Sequence, residues 1–225
     1  MLVDFVFPLR CVGCGAWDTL LCDRCRAGLP AIIPPCCPRC GVSQPDGPVG
    51  VCATCLRTPL NFLDGVWSGY RFEGVIREAV HDLKYQGISA LAEPLGTLLG
   101  GHVRERFPEA TVLVPVPLHP SRLRERGYNQ AALLARAVGQ VAGLPVWAEA
   151  LRRVRPTPSQ TTLNALGRRQ NVRGAFTCAA PAIAGQRVVL VDDVTTTVAT
   201  LDACAAALKA AGVRSVWGCA LARGG

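Results

Sequence analysis

Eight cysteines stand in four Cys-x2-Cys pairs, Cys11/Cys14, Cys22/Cys25, Cys37/Cys40 and Cys52/Cys55. A Cys-x2-Cys turn offers two thiolates from one small knuckle of backbone, and two knuckles complete a closed tetrahedral shell around Zn2+ with metal–sulfur distances of about 2.3 Å. Eight thiolates therefore suit two zinc ions, and shells made only of sulfur leave no open position for catalysis, so the metal is structural. Gly15 and Gly41 each follow a knuckle, where a backbone free to take positive φ lets amides face the sulfurs. Pairs taken in sequence give two consecutive ribbons and alternating pairs give a cross-braced module; the spacing admits both, and the sequential arrangement is favoured. Cys36 breaks the spacing and is left out as a spare thiol.

A second signal is Asp192 and Asp193, which follow the apolar run Val188–Val191 and precede Thr195, Thr196, Thr197 and Thr200. A buried strand that ends in two carboxylates and a hydroxyl-rich turn opening onto a helix N-terminus offers two kinds of ligand chemistry. Carboxylates suit sugar hydroxyls or a divalent cation, and the amides of the turn suit a phosphate. Together they describe a sugar phosphate. An acidic strand end followed by helix-capping threonines is the plainer account, and it leaves the remaining motifs unexplained.

The third signal is arginine. The formal net charge is +8, and between Arg104 and Arg173 twelve arginines stand against four glutamates, an excess equal to that of the whole chain. An anionic partner follows. Arg122, Arg124 and Arg126, then Arg155, Arg168, Arg169 and Arg173, gather guanidinium groups that could clamp a pyrophosphate by bidentate hydrogen bonds. The same arginines could track single-stranded DNA, with Tyr85, Tyr128 or Phe176 as stacking partners.

Two unequal domains must carry these groups. Nine of the twelve cysteines precede residue 56, which predicts a small module over 1–62 and a larger domain over 63–225. In the larger part, strands are expected at Trp67–Phe72, Thr111–Pro117, Val146–Leu151, Arg187–Val191 and Arg214–Leu221. Helices are expected at Val75–Tyr85, Ala90–Phe107, Gly127–Ala142 and Leu201–Ala211, with a long arginine-rich loop up to Gly174. Alternation of strands and helices predicts an α/β fold with a parallel sheet and the ligand beyond the carboxyl ends of its strands. Cys178, Cys204 and Cys219 lack ligand-spaced partners and read as small buried residues. The run Met1–Pro8 is too short and wrongly flanked for a signal peptide, and no stretch approaches the roughly 20 apolar residues of a membrane span, so a cytoplasmic protein is expected.

The acidic pair and its threonine turn resemble the PRPP loop of type I phosphoribosyltransferases. That resemblance implies a phosphoribosyltransferase-type domain in which Asp192 and Asp193 are catalytic and hold the ribose hydroxyls of PRPP, with Mg2+. Thr196, Thr197, Val198, Ala199 and Thr200 would line the pocket of the 5′-phosphate. Val198 departs from the glycine usual there, and a β-branched residue resists positive φ and the close approach of a phosphate. Adding Val114-Pro-Val-Pro-Leu-His-Pro120, Arg122–Ala131, Leu83-Lys-Tyr-Gln-Gly87, Arg155–Gln160 and Arg168–Phe176, the chain resembles the ComF family of competence proteins over nearly its whole length. The family implies natural transformation, the uptake of external DNA, with single-stranded DNA and competence proteins such as a helicase as partners. On this reading His119, Arg122, Arg124 and Arg126 serve the pyrophosphate. Arg155, Gln160, Arg168, Arg169 and Arg173 form a mobile flap. A non-catalytic single-strand-binding module and a base-salvage phosphoribosyltransferase are the rivals.

Overall fold

Period-two burial organises the sheet. Strands β1 (Gly65–Arg71), β2 (Val112–Pro115), β5 (Arg187–Thr195) and β6 (Ser215–Arg223) run parallel in the order β1-β6-β5-β2. Along β5 successive side chains point to opposite faces. Val188 and Leu190 enter one apolar layer and Val189 and Val191 the other, all four fully buried. Both faces of a parallel sheet need a cover. Helices α3 (Gly74–Tyr85), α4 (Ala92–Arg106) and α6 (Gln130–Ala142) cover the Val189/Val191 face. Helix α7 (Ala199–Ala210) and a two-stranded antiparallel pair, β3 (Leu151–Arg153) with β4 (Phe176–Cys178), cover the other. The computed structural model describes residues 9–47, 49–156 and 171–224; the run Met1–Pro8 and the expected flap residues Gln160, Arg168 and Arg169 lie outside the described residues. No helix among the described residues is long and apolar enough to cross a membrane.

The cysteine module repeats one design twice. Cys11 and Cys37 each open a turn closed by a glycine, with the N–H of Gly15 donating to Cys11 O and that of Gly41 to Cys37 O, both at 2.8 Å and with φ of 72° and 74°. The third cysteine of each set, Cys22 or Cys52, is the N-cap of a five-residue helix, α1 (Asp23–Ala27) or α2 (Ala53–Arg57). Its own N–H reaches back to sulfur, Cys22 to Cys11 Sγ at 3.4 Å and Cys52 to Cys37 Sγ at 3.3 Å. The sulfurs group in sequence, Cys11, Cys14, Cys22, Cys25 and then Cys37, Cys40, Cys52, Cys55, each quartet within 4.8 Å. Cys14 and Cys22 Sγ are 3.6 Å apart and Cys40 and Cys52 Sγ 3.7 Å, where a tetrahedron of about 2.3 Å bonds requires roughly 3.8 Å. Burial alone would raise the Cys11 thiol, but N–H groups of Cys22, Cys14 and Gly13 outweigh it and bring its pKa to about 6. Both quartets fit zinc. Cys36 belongs to neither.

The two quartets differ in what surrounds them. Cys37, Cys40, Cys52 and Cys55 share one apolar cluster with Val188 and Leu190 of β5 and Leu201 of α7, whereas Cys14 is exposed. Polar braces fix the second ribbon further. Asp202 of α7 accepts the N–H of Phe62 at 3.0 Å and of Leu63 at 3.2 Å, and Arg223 Nη1 of β6 donates to Cys40 O at 2.5 Å.

Four local expectations change. Strand β5 does not stop at Val191 but continues through both aspartates to Thr195, because β6 runs on beside it and pairs Asp192 with Ala220 and Thr195 with Arg223. A backbone ladder is indifferent to the polarity of the side chains it carries. The helix expected over Gly127–Ala142 starts three residues later, as α6, where Asn129 Oδ1 accepts the N–H of Ala131, and it is preceded by a short helix outside the expected set, α5 (Pro120–Arg126), which ends on Gly127 in the left-handed region at φ 83°. Arg122, Arg124 and Arg126 therefore stand on a helix. In place of a strand at Val146–Leu151 there is a single parallel bridge from Val146 to Leu113, followed by β3. Beyond the undescribed stretch, β4 pairs back onto β3.

Exposure of the first quartet and core membership of the second predict unequal consequences. Cys14→Ser and Cys55→Ser should each reduce zinc content from two ions to one per chain, measured by metal analysis after gel filtration. Only Cys55→Ser should destabilise the sheet domain, by about 3 kcal/mol or more in urea unfolding followed by tryptophan fluorescence.

Candidate functional site

The end of β5 is where the two faces of the sheet part company. Asp192 continues the parity of Val188 and Leu190 toward α7 and is half-buried; Asp193 continues that of Val189 and Val191 toward α3 and α6 and is only 2% exposed. Asp192 Oδ1 accepts the N–H of Asp193 at 2.9 Å. Burial, and then repulsion from Asp193, push the Asp192 carboxyl well above the usual carboxylate range. The Arg153 guanidinium of β3 lies within electrostatic reach of Asp192 and 5.4 Å from the Phe176 ring.

Asp193 is held differently. Its Oδ2 meets the Lys84 ammonium from the last turn of α3, and its Oδ1 accepts from Gln130 Nε2, at the first position of α6, at 3.2 Å. Burial opposes ionisation, but Lys84 outweighs it and holds the carboxyl below its ordinary value. Removing the ammonium alone would strand a buried carboxylate, at a cost of about 3–5 kcal/mol.

Residues Arg126–Gln130 knit this centre together. Arg126 Nη1 donates to Gln130 Oε1 and its guanidinium lies 5.5 Å from the Tyr85 ring. Tyr128 OH donates to Leu83 O, and Asn129 Nδ2 donates to Val116 O at 3.0 Å, at the end of β2. The Leu83-Lys-Tyr85 and Arg126–Gln130 motifs, 41 positions apart from Tyr85 to Arg126, thus meet over one carboxylate. Sequence reasoning passed over Lys84 and Gln130. The signal for Lys84 was in plain view, a lysine four positions after Val80 on the buried stripe of α3.

Beyond β5 the chain turns at Thr196, Thr197 and Val198 into α7. Val198 adopts φ 62° and ψ −1°, is 3% exposed, and stands at the helix N-cap without a side-chain cap. A β-branched residue in the left-handed region costs roughly 1–2 kcal/mol. The backbone here takes the shape that glycine adopts freely, and the expectation of a misfit at this position is met in the dihedral angle. Ala199 is buried, Thr196, Thr197 and Thr200 are half-buried, and Gly224 N–H ties to Thr195 O at 2.9 Å.

The arginines separate into groups. Arg122 and Arg126 line a notch of about 280 Å3 with Lys84, Tyr85, Gly87 and Glu125, and Arg122 also pairs with Glu125 at 2.9 Å. Arg124 is exposed and lines neither this notch nor the larger cleft of about 770 Å3 on the other side of α5, which Leu123, Tyr128, Arg136, Arg152 and Arg153 help to form. His119 sits at the rim of that cleft and caps α5, its Nδ1 accepting from Ser121 N at 3.3 Å and 2.8 Å from Ser121 Oγ. Arg155 Nη2 donates to Asn171 O at 3.1 Å and Arg173 O at 2.6 Å, which brings together the two ends of the arginine-rich segment.

Comparison with known proteins covers both parts. Residues 2–56 match a family model described as a double zinc ribbon domain, in agreement with the two quartets. Among solved structures, the allosteric regulatory enzyme of purine biosynthesis aligns at TM-score 0.41 and 21% identity over 58% of this chain, and glutamine PRPP amidotransferase from B. subtilis at 0.38 and 24% over 57%. The chain spans 26% of each of those enzymes. DNA utilization protein YhgH of Salmonella typhi is 33% identical over 80% of both chains, and competence protein ComFC of Bacillus subtilis is 27% identical over 88% of this chain and 83% of its own length. Competence protein F of Haemophilus influenzae is 32% identical over 96% of this chain and 98% of its own. With identity at that level extending from the ribbons through the sheet, the chain belongs to the ComF family of competence proteins.

Proposed function

We propose that this competence protein binds PRPP with Mg2+ in the domain over 63–225, supported by the zinc-bearing module over 1–62. The observation that carries the reading is the place of Asp192: a half-buried carboxylate near the end of a parallel strand, four residues before a turn whose backbone opens onto the N-terminus of the twelve-residue helix α7. A helix N-terminus favours phosphate and a carboxylate favours sugar hydroxyls or a cation, so the two placed together suit a ribose 5-phosphate unit. Mg2+, when bound with PRPP, would neutralise charge on the diphosphate, and Asp192 would be the carboxylate that meets the sugar and the metal. In a transfer, the bond from ribose C1 to the diphosphate oxygen breaks with its electron pair leaving on oxygen, and an acceptor bonds to C1. Cations beside the leaving oxygen would stabilise the charge that develops there.

A second reading, a single-strand DNA site, is favoured by one observation. The Tyr85 ring is 67% exposed, with the Arg126 guanidinium at 5.5 Å and the His81 ring at 5.2 Å, a combination suited to stacking beside a phosphate. Both activities would serve a protein that handles incoming DNA.

Calorimetric titration of the zinc-loaded protein with PRPP and Mg2+ tests the first reading. Saturable binding is expected in the wild type and its loss, by at least about tenfold, in Asp192→Asn. Absence of wild-type binding would sink it. Because Asp192 is raised in pKa and binds as the carboxylate, affinity should strengthen as pH climbs above the ordinary carboxylate range, and this increment should vanish in Asp192→Asn. Val198→Gly should bind PRPP more tightly, by up to about tenfold or ~1.4 kcal/mol, since glycine admits the phosphate closer to the turn. Binding of an oligo-dT strand should fall steeply with salt and survive Asp192→Asn if the arginines form a separate DNA track.

A further inference from the structure

Strand β6 lies between β1 and β5, and a parallel sheet needs cover on both faces, yet β6 carries one exposed position, Trp217. By the alternation of the strand its side chain shares the layer of Cys219 and Leu221, at the end of the sheet where α4 stops at Arg106. The indole is 37% exposed and lies against β1, where a Cβ at Gly65 would come within 2.4 Å of Trp217 Cζ3, so glycine leaves the room it needs. The buried Phe107 ring stands 5.9 Å away, tilted by 47°. With Pro108, Ala110, Val188 and Val189 these rings wall a pocket of about 220 Å3 at the amino ends of β5 and β6. An engineered apolar cavity of about 150 Å3 takes a benzene ring, so this volume holds one aromatic side chain. The turn before α7 lies about 25 Å away along β5, whose nine residues rise roughly 3.3 Å each.

The rim of this pocket is cationic. Arg106, the last residue of α4, and Arg187, the first of β5, line it against one carboxylate, the exposed Glu109, which meets Arg187 Nε at 3.3 Å. Arg106 has no carboxylate partner among the described residues; its guanidinium stands 5.9 Å from the Trp67 ring, which in turn lies 5.5 Å from that of His102. Cations and rings thus continue past the pocket along the end of α4, over more surface than a small molecule would cover. We propose that this pocket, walled by Phe107 and Trp217 and rimmed by Arg106 and Arg187, is a docking site for an acidic peptide segment of a partner protein that carries one aromatic anchor. The walls select the ring and the rim selects the acids beside it, and tryptophan and arginine are the side chains that carry most energy at such surfaces. A nucleobase suits the pocket less well. Its polar edge would need several partners, and besides the two arginines only Ser215 and Glu109 offer polar side chains, whereas a phenyl ring buries no polar atom.

The probe is the amidated peptide Asp-Glu-Phe-Asp-Glu with fluorescein at its N-terminus, titrated into the full, zinc-loaded chain and followed by anisotropy. Saturable binding is expected. Replacing the phenylalanine of the peptide by alanine should weaken it by at least about tenfold. Arg106→Glu should weaken it by about fivefold, and that difference should shrink as salt rises, because the charges stand at an open rim. Ser215→Phe, which fills the pocket from β6, should abolish it. Zinc content and a thermal midpoint near those of the wild type are the controls for folding, and Arg106→Glu, a change at an exposed side chain, keeps the test decisive if Ser215→Phe fails to fold.

An absence of peptide binding to the wild type overturns the proposal, as does equal affinity for the alanine peptide or indifference to the folded variants. Binding that appears only after Met1–Pro8 is deleted gives the pocket to the chain's own run around Asp4 and Phe5, and the assignment to a partner falls. A dimer in gel filtration that Arg106→Glu separates makes a second copy of this chain the occupant, with the same consequence. If an oligo-dT strand displaces the peptide and itself loses affinity in Ser215→Phe, the pocket is a nucleic-acid site and the peptide assignment is wrong.

Discussion

A single carboxylate inside the apolar layer organises the carboxyl end of the sheet. Asp193 would be intolerable there alone, because burying an unpaired charge costs far more than a packed side chain returns. It is tolerated because α3 delivers Lys84 and α6 delivers Gln130 to its two oxygens. Each partner arrives on a helix whose remaining inner positions are apolar, Ile76, Val80 and Leu83 on α3 and Leu134 and Val138 on α6. Hydrophobic packing brings the helices to the sheet, and the buried polar contacts fix how they sit upon it. The close approach of α4 to α6 follows the same logic of fit, since a Cβ at Gly96 would lie 2.5 Å from that of Ala137.

The opposite face of β5 is organised by metal in place of charge. The second cysteine quartet is part of the core that covers Val188 and Leu190; Arg223 of β6 holds the Cys40 carbonyl, and Asp202 of α7 holds the Phe62–Leu63 segment that follows the ribbon. The turn that precedes α7, with Val198 in a left-handed conformation, stands four residues before Asp202 in the chain. A strained dihedral persists where its surroundings over-determine it. Here the strand ladder below, the helix above and the burial of the Val198 side chain together impose a backbone shape that valine would not choose.

The alternation of side chains along one strand explains why two adjacent acids differ. Residues one apart on a strand face opposite layers. Asp192 and Asp193 therefore meet different neighbours, one beside Arg153 and the threonine turn, the other against Lys84 and Gln130. Burial, and then repulsion from Asp193, push Asp192 up, while the Lys84 ammonium holds Asp193 down. The two acids of the motif thus belong to different layers while remaining in contact at the strand end.

Much of this was legible in the residues. Cys-x2-Cys spacing fixes which thiols share a knuckle, because the geometry is local, and apolar periodicity fixes the strands and helices for the same reason. The misfit of Val198 was anticipated only through the resemblance to a loop that has glycine at that place, and the dihedral angle shows the backbone shape that glycine would take. What only the tertiary structure decided are relations between distant segments. Whether knuckles pair in sequence or alternate, that Lys84 and Gln130, 46 positions apart, close on one carboxylate, and that the second ribbon belongs to the core all depend on which elements meet. Even the length of β5 was set by its neighbour, since a hydrogen-bond ladder extends as far as the adjacent strand does, whatever the polarity of the residues it carries. Local chemistry is written in spacing; partnership across the fold is settled by packing, where burial makes an unpaired charge too costly and so selects the partner that comes to it.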